Sequence, residues 1–224
     1  SINPNYPEAQ NNLGNTLKKN GKIGEAIACY QEALRISPEY ADAYNNLGVA
    51  LKELLKIEEA ISNYKKALQI NPSLLDAHIN LSVALNDLGK TEEAISEYKK
   101  ILETNPSSKE TYFNMGIAYQ TQKDDVSAIS CYEKALEFDR NYFDALNNLG
   151  ISFNHLGKFE EAIETYKRAL DLAPKKVELH NNLGNSLRDL GLPLKALESY
   201  KKALEINPSF FSAHNNMGNA LKDL

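Results

Sequence analysis

The chain has no tryptophan, only two cysteines and two methionines, and no long apolar run among its 224 residues. No stretch approaches the roughly 20 consecutive apolar residues of a membrane-spanning helix, and nothing after Ser1 has the layout of a secretory leader. Two cysteines cannot build the disulfide framework of a small secreted domain. A charge of -5, from 25 Lys and Arg against 30 Asp and Glu, offers no basic surface to nucleic acid or acidic lipid. No nucleophile, base and orienting acid fall together in a motif, and no Gly-rich loop follows a strand pattern. The expectation is a non-catalytic, cytoplasmic or nucleocytoplasmic chain with no cofactor, no metal, no nucleic-acid partner and no membrane.

What the sequence does have is a period. The line FDALNNLGISFNHLGKFEEAIETYKRALDLAPK, which opens at Phe143, returns at a constant spacing of 34 residues. Leu149-Gly150 has counterparts at Leu13-Gly14, Leu47-Gly48, Leu81-Ser82, Met115-Gly116, Leu183-Gly184 and Met217-Gly218. A fixed period of this size marks stacked supersecondary units, each too small to bury its own apolar face. Within a unit the apolar residues fall twice at helical offsets: Leu146, Leu149 and Phe153, then Phe159, Ala162, Ile163, Tyr166, Ala169 and Leu170. Gly157 suits the left-handed residue after a helix end, and Pro174 lacks the amide hydrogen that would continue the second helix. Each unit therefore reads helix, turn, helix, stop.

The residues that recur resemble the tetratricopeptide repeat pattern over the whole chain. Its small place between helices is Ala26, Ala60, Ala94, Ala128, Ala162 and Ala196, and its bulky place four residues on is Tyr30, Tyr64, Tyr98, Tyr132, Tyr166 and Tyr200. The resemblance implies an all-α, right-handed superhelical solenoid in one domain over residues 1–224. Its repeats are 7–40, 41–74, 75–108, 109–142, 143–176 and 177–210, with the tail of a preceding repeat at 1–6 and a partial one at 211–224. The ends read as cuts in a longer array, or the last helix as a solvating cap. Cys29 and Cys131 share a place three units apart, roughly 30 Å if a unit advances about 10 Å, too far to pair.

The repeat at Lys109 deviates: Arg140 replaces the stop proline, and Lys123-Asp124-Asp125 replaces the turn glycine, which predicts a softer turn. Leu54-Leu55 lacks that glycine too, which predicts a different cap, and Ser82 stands where helix packing favours Gly. Pro193 falls at the first position of its helix, where proline is tolerated. Charge pairs such as Glu164 with Arg168 are expected along the outer helices.

Function is sought in residues that packing does not explain. The sixth place of every first helix is asparagine: Asn12, Asn46, Asn80, Asn114, Asn148, Asn182 and Asn216. Asparagine is a poor helix former, and no apolar core needs an amide there. The resemblance places first helices along the concave groove of the superhelix, so the amides would form a row able to clamp the backbone of an extended protein or peptide. The alternative is that they bond only to neighbouring helices and hold the array together. One turn earlier stand Glu8, Asp42, Asp76, Glu110, Asp144 and Glu178, read either as favourable charge at helix N-termini or as an acidic rail for ligand side chains.

DAYNNLG at Asp42 and DALNNLG at Asp144 resemble the repeats of the nucleocytoplasmic O-linked N-acetylglucosamine transferases and of SPINDLY, whose array selects protein substrates for a separate catalytic domain. That implies a substrate-selecting region. A freestanding adaptor, self-associating through its open ends, is the alternative. The carboxylate clamp of chaperone-binding members is not expected: Asn15 and Asn46 match its amides, but Asn11, Asp76 and Asn80 take its basic places. His78, His180 and His214 occupy the aromatic place of Tyr44 and Tyr112 and read as packing groups rather than metal ligands, whereas His155 stands alone on the groove side. The sequon Asn80-Leu81-Ser82 lies inside a packed helix and reads as inert.

Overall fold

The computed structural model describes residues 6–224, all of it α-helix and short turns; residues 1–5, most of the expected tail of a preceding repeat, lie outside that range. Thirteen helices follow one another among the described residues. The first helices of the repeats are α1 (Pro7–Lys19), α3 (Ala41–Glu53), α5 (Leu75–Asp87), α7 (Lys109–Thr121), α9 (Phe143–His155), α11 (Val177–Asp189) and α13 (Phe211–Lys222). The second helices are α2 (Ile23–Ile36), α4 (Ile57–Ile70), α6 (Thr91–Thr104), α8 (Asp125–Phe138), α10 (Phe159–Leu172) and α12 (Pro193–Ile206), the last with Pro193 in its opening turn as expected. No described helix is long and apolar enough to cross a membrane. The chain divides into two compact units, Ser1–Pro106 and Ser107–Leu224.

Each helix pair closes on its tyrosine. Tyr30, Tyr64, Tyr132, Tyr166 and Tyr200 are completely buried, as are the alanines four residues before them. The ring lies flat on the glycine of the first helix: a Cβ added at Gly48 would come within 2.5 Å of Tyr64 Cε1. Glycine and alanine thus let two backbones approach, and the ring fills the space beside them. Ser82 shows that the place is not absolute. Its hydroxyl turns back to the carbonyl of His78 at 2.7 Å, and Tyr98 beside it stays buried.

The turns keep one geometry whatever residue occupies them. Gly21, Gly89, Gly157 and Gly191 have φ of 76°, 79°, 69° and 81°, and Leu55 and Lys123 adopt φ of 60° and 61° at the same place. The amide of Lys56 reaches the carbonyl of Leu51 at 3.0 Å, just as Lys22 reaches Leu17. The different cap expected at Leu55 is therefore absent; the helix-ending pattern of hydrogen bonds forces the left-handed backbone on a leucine. Arg140 likewise leaves the stop intact. α8 ends at Phe138 because the Asp139 side chain accepts the amide of Asn141 at 3.0 Å, as Asn71 does for Ser73, a local turn that competes with helix continuation without proline.

Candidate peptide-binding face

Within each unit the first helices of successive repeats touch one another: α1 with α3 and α3 with α5 in the first, α7 with α9, α9 with α11 and α11 with α13 in the second. Within a unit the second helices touch the first helices beside them but, among the described residues, never each other. A stack that is close on one side and open on the other curves toward the close side, so the first helices line the concave face of each unit. The acidic and amide places share one side of each helix, since places two, six, nine and thirteen fall within about 60° of one another at 100° per residue, and amide bonds between successive first helices set that side along the stack.

The amide row proves to be two rows joined across the repeats. The Nδ2 of Asn46 donates to Oδ1 of Asn11 at 2.9 Å, that of Asn80 to Asn45 at 3.0 Å, and that of Asn216 to Asn181 at 3.0 Å. Asn11, Asn45 and Asn181 are buried, so each bond ties an outer amide to an inner one in the preceding first helix. The expectation that the scaffold does not use these seven amides is therefore corrected for three of them. Asn148 accepts from its neighbour Asn147 at 3.3 Å. The side-chain amides of Asn12, Asn114 and Asn182 have no hydrogen bond among the described residues. The carboxylates of Glu8, Asp42, Asp76, Asp144 and Glu178 are exposed and have no ion pair among the described residues, and Glu110 comes within 4.0 Å of Lys109.

Further along the same helices runs a second stitch. Lys18 pairs with Glu53 at 3.5 Å and Lys52 with Asp87 at 2.8 Å, joining the twelfth place of one first helix to the thirteenth of the next. In the second unit Arg188 and Asp223 repeat this pairing at 3.9 Å, while between α7, α9 and α11 amides and hydroxyls take its place. Tyr132 donates to Gln120 at 2.7 Å, and Gln120 donates to Ser152 at 2.8 Å; Asn154 donates to Tyr166 at 3.4 Å and accepts from Ser186 at 2.8 Å. Elsewhere the tyrosine finds a partner at the ninth place, Asn15 for Tyr30 at 2.8 Å and Asn185 for Tyr200 at 2.9 Å. Tyr64 finds none: Val49 holds that place, Lys52 is turned to Asp87, and the buried hydroxyl stands alone. Burial pushes the acidities of these hydroxyls down, with the pKa of Tyr30 and of Tyr200 raised to about 12.

His155 is not alone, as its groove-side place suggested; its Nδ1 lies 3.1 Å from both oxygens of the buried Asp125 carboxylate at the start of α8. His78, His180 and His214 each bring Nε2 to the carbonyl of Pro72, Pro174 or Pro208 at 2.8–2.9 Å, and His78 also sets Nδ1 3.2 Å from Glu97. No cluster of metal-ligating side chains occurs among the described residues. On the outer helices the Glu164–Arg168 pair does not form; the ion pairs there span three residues, as in Lys56–Glu59 at 3.1 Å. The outer side also holds a hollow of about 580 Å³ between α8 and α10, floored by Leu149 and Phe153, and no residue of the amide or acidic rows lines it.

Helix pairs of constant length, five of them closed by a Gly–Tyr contact and stitched along their first helices within each unit, define a helical-repeat array. Two tetratricopeptide repeat models match the chain, one over residues 14–54, 83–123 and 152–191 and the other over 41–74, 110–142 and 177–210. The chain belongs to the tetratricopeptide repeat family. No curated protein matches it. Among solved structures it is similar to MamA, at 26% identity over 75% of this chain and 92% of that one, with a TM-score of 0.69. It also resembles YrrB, described as a TPR protein with an unusual peptide-binding site, at 22% identity over 87% of this chain and 98% of that one, TM-score 0.69. PilW, a type IV pilus biogenesis factor, superposes with a TM-score of 0.84 over 93% of this chain and 97% of that one, at 17% identity. The likenesses to YrrB and PilW show the fold alone.

Proposed function

We propose that the chain is a protein-interaction module that binds extended polypeptide along the face formed by its first helices. The observation that carries the reading is the asymmetry of the stack: close first helices present a curved face on which amides and carboxylates recur once per repeat. Amides offer both a donor and an acceptor, the complement of a peptide backbone that is not already paired. YrrB has a peptide-binding site on the same scaffold. The amides of Asn12, Asn114 and Asn182 are wholly uncommitted, and those of Asn46, Asn80 and Asn216 keep one N–H and an oxygen after their bond to the preceding repeat.

The substrate-selecting arm of a protein O-glycosyltransferase and an adaptor would use this face alike. The paired asparagines that resemble the glycosyltransferase repeats have a packing use of their own here, compatible with either. Selection of peptides from a random phage-displayed library, followed by affinity measurement on a selected peptide, tests the reading. Replacing Asn12, Asn114 and Asn182 by Ala is expected to weaken binding while leaving helicity and the unfolding midpoint unchanged. Replacing Asn46, Asn80 and Asn216 is expected to lower stability as well. Equal affinity of the first variant and the parent would sink the proposal.

A further inference from the structure

The ninth place of the first helices carries a signal that the amide row does not explain. It is asparagine in the outer repeats, Asn15, Asn185 and Asn219, and aliphatic in the four between them: Val49, Val83, Ile117 and Ile151. Asparagine serves the fold well at this place, since Asn15 and Asn185 accept the buried tyrosine hydroxyls. Where Val49 stands instead, the hydroxyl of the fully buried Tyr64 is left unpartnered, an unfavourable arrangement for a buried donor. At Ile117 and Ile151 the loss is made good from the twelfth place, by Gln120 and Asn154. Apolar side chains hold this place in four successive repeats; those of Ile117 and Ile151 also pack against the core, and all four remain only half-buried. The first-helix face of each unit therefore carries an aliphatic row in register with the exposed carboxylates.

The rows have a spacing that selects a ligand conformation. Along a first helix the acidic place precedes the amide place by about 6 Å, and the aliphatic place follows it by about 4.5 Å. Across packed helices a given place recurs at about 8–10 Å. A polyproline II strand turns once in three residues with about 3.1 Å of rise for each, so every third side chain points the same way at about 9.3 Å. A β-strand alternates faces, and its third side chain points away. Polyproline II also leaves its backbone groups without internal hydrogen bonds, open to the amide row.

Building on the reading of the first-helix face as a peptide site, we infer that each unit takes its ligand as a polyproline II strand with an aliphatic side chain at every third position and Lys or Arg between them. In the first unit the aliphatic groups lie on Val49 and Val83, and the basic ones face the exposed carboxylates of Asp42 and Asp76. In the second unit the corresponding residues are Ile117 and Ile151, with Glu110 and Asp144. The cations of the opposite rim in the first unit, Lys18 and Lys52, are held by Glu53 and Asp87 and do not repel a basic strand.

The test is fluorescence anisotropy of the intact chain with a fluorescein-labelled nonapeptide made of three Val-Lys-Pro triplets. Comparison peptides carry Ser for Val, carry Glu for Lys, or have the same composition with the valines at every second position. The Val-Lys-Pro peptide is expected to bind at least about tenfold tighter than each of these, and changing Val49, Val83, Ile117 and Ile151 to Asn is expected to remove that advantage. If that variant does not fold, the comparison peptides decide on the parent chain. Equal binding of the Ser or the permuted peptide overturns the inference while leaving a peptide-binding face. Absence of binding by all four overturns it too, and the phage selection then judges the broader reading separately.

Discussion

The unpartnered hydroxyl of Tyr64 makes a sharp test of how these repeats are held together. Removing it as Tyr64→Phe keeps the ring on Gly48 and deletes only a buried donor that has no acceptor. The desolvation of such a group costs about 1–3 kcal/mol, so the variant is expected to be more stable by about 1 kcal/mol. The same change at Tyr200 or Tyr132 breaks bonds of 2.9 and 2.7 Å to Asn185 and Gln120, and is expected to lower stability by about 1 kcal/mol. Urea unfolding followed by circular dichroism, with the slope held common, measures the difference. A gap of about 2 kcal/mol corresponds to about 4–8 °C in Tm for a chain of this length. Val49→Asn supplies the missing acceptor and is expected to stabilise the parent but not the Tyr64→Phe background. If Tyr64→Phe weakens the chain as much as Tyr200→Phe does, the hydroxyl has a partner in solution, and the account of the ninth place fails with it.

Leu55 and Lys123 hold left-handed backbone without being glycine, so Leu55→Gly and Lys123→Gly are each expected to raise stability by about 0.5–1 kcal/mol, whereas Gly157→Ala lowers it by about 1 kcal/mol; unfolding midpoints of the three variants decide. Alkaline titration tests the buried tyrosines. In the unfolded chain they release their protons near pH 10, while Tyr30 and Tyr200 hold theirs to about 12. The unfolded state then binds fewer protons, so the stabilisation is complete below pH 10 and is lost as pH climbs toward 12. Tyrosinate absorbance is expected to rise together with loss of helix signal; tyrosinate from the buried rings at constant helicity would contradict the packing described.

The helix pairs, their turns and their Gly–Tyr contacts were legible in the sequence because each rests on residues at short separation with one physical use. Asp139 was missed as the stop of α8 because proline was taken as the signal, although an Asp or Asn at that place closes the helix by the same local turn in three repeats. The partners of the amides were not legible, because they sit 35 residues away and depend on side-chain direction. A trace was present all the same. Ser152 and Ser186 appear only in repeats that follow Gln120 and Asn154. Likewise Phe113 stands where the inner asparagine would be, and the outer Asn148 makes no bond of the kind seen at Asn46.

Packing does not exclude the recognition proposed for these amides. An asparagine side chain has two N–H donors and two lone pairs, and the bond to the preceding repeat consumes one donor. That bond fixes the rotamer, so the remaining donor and the oxygen meet a ligand already ordered, which spares about 0.5–1.5 kcal/mol of side-chain immobilisation per residue. Asn12, Asn114 and Asn182 lack the tether and must be ordered on binding. Tethered rungs are therefore the pre-organised part of the face and untethered ones the adaptable part. Breaking a tether by changing Asn11 to Ala, which leaves Asn46 itself in place, is expected to weaken peptide binding through faster dissociation. A dissociation rate unchanged by Asn11→Ala would reduce the tether to a stitch between helices.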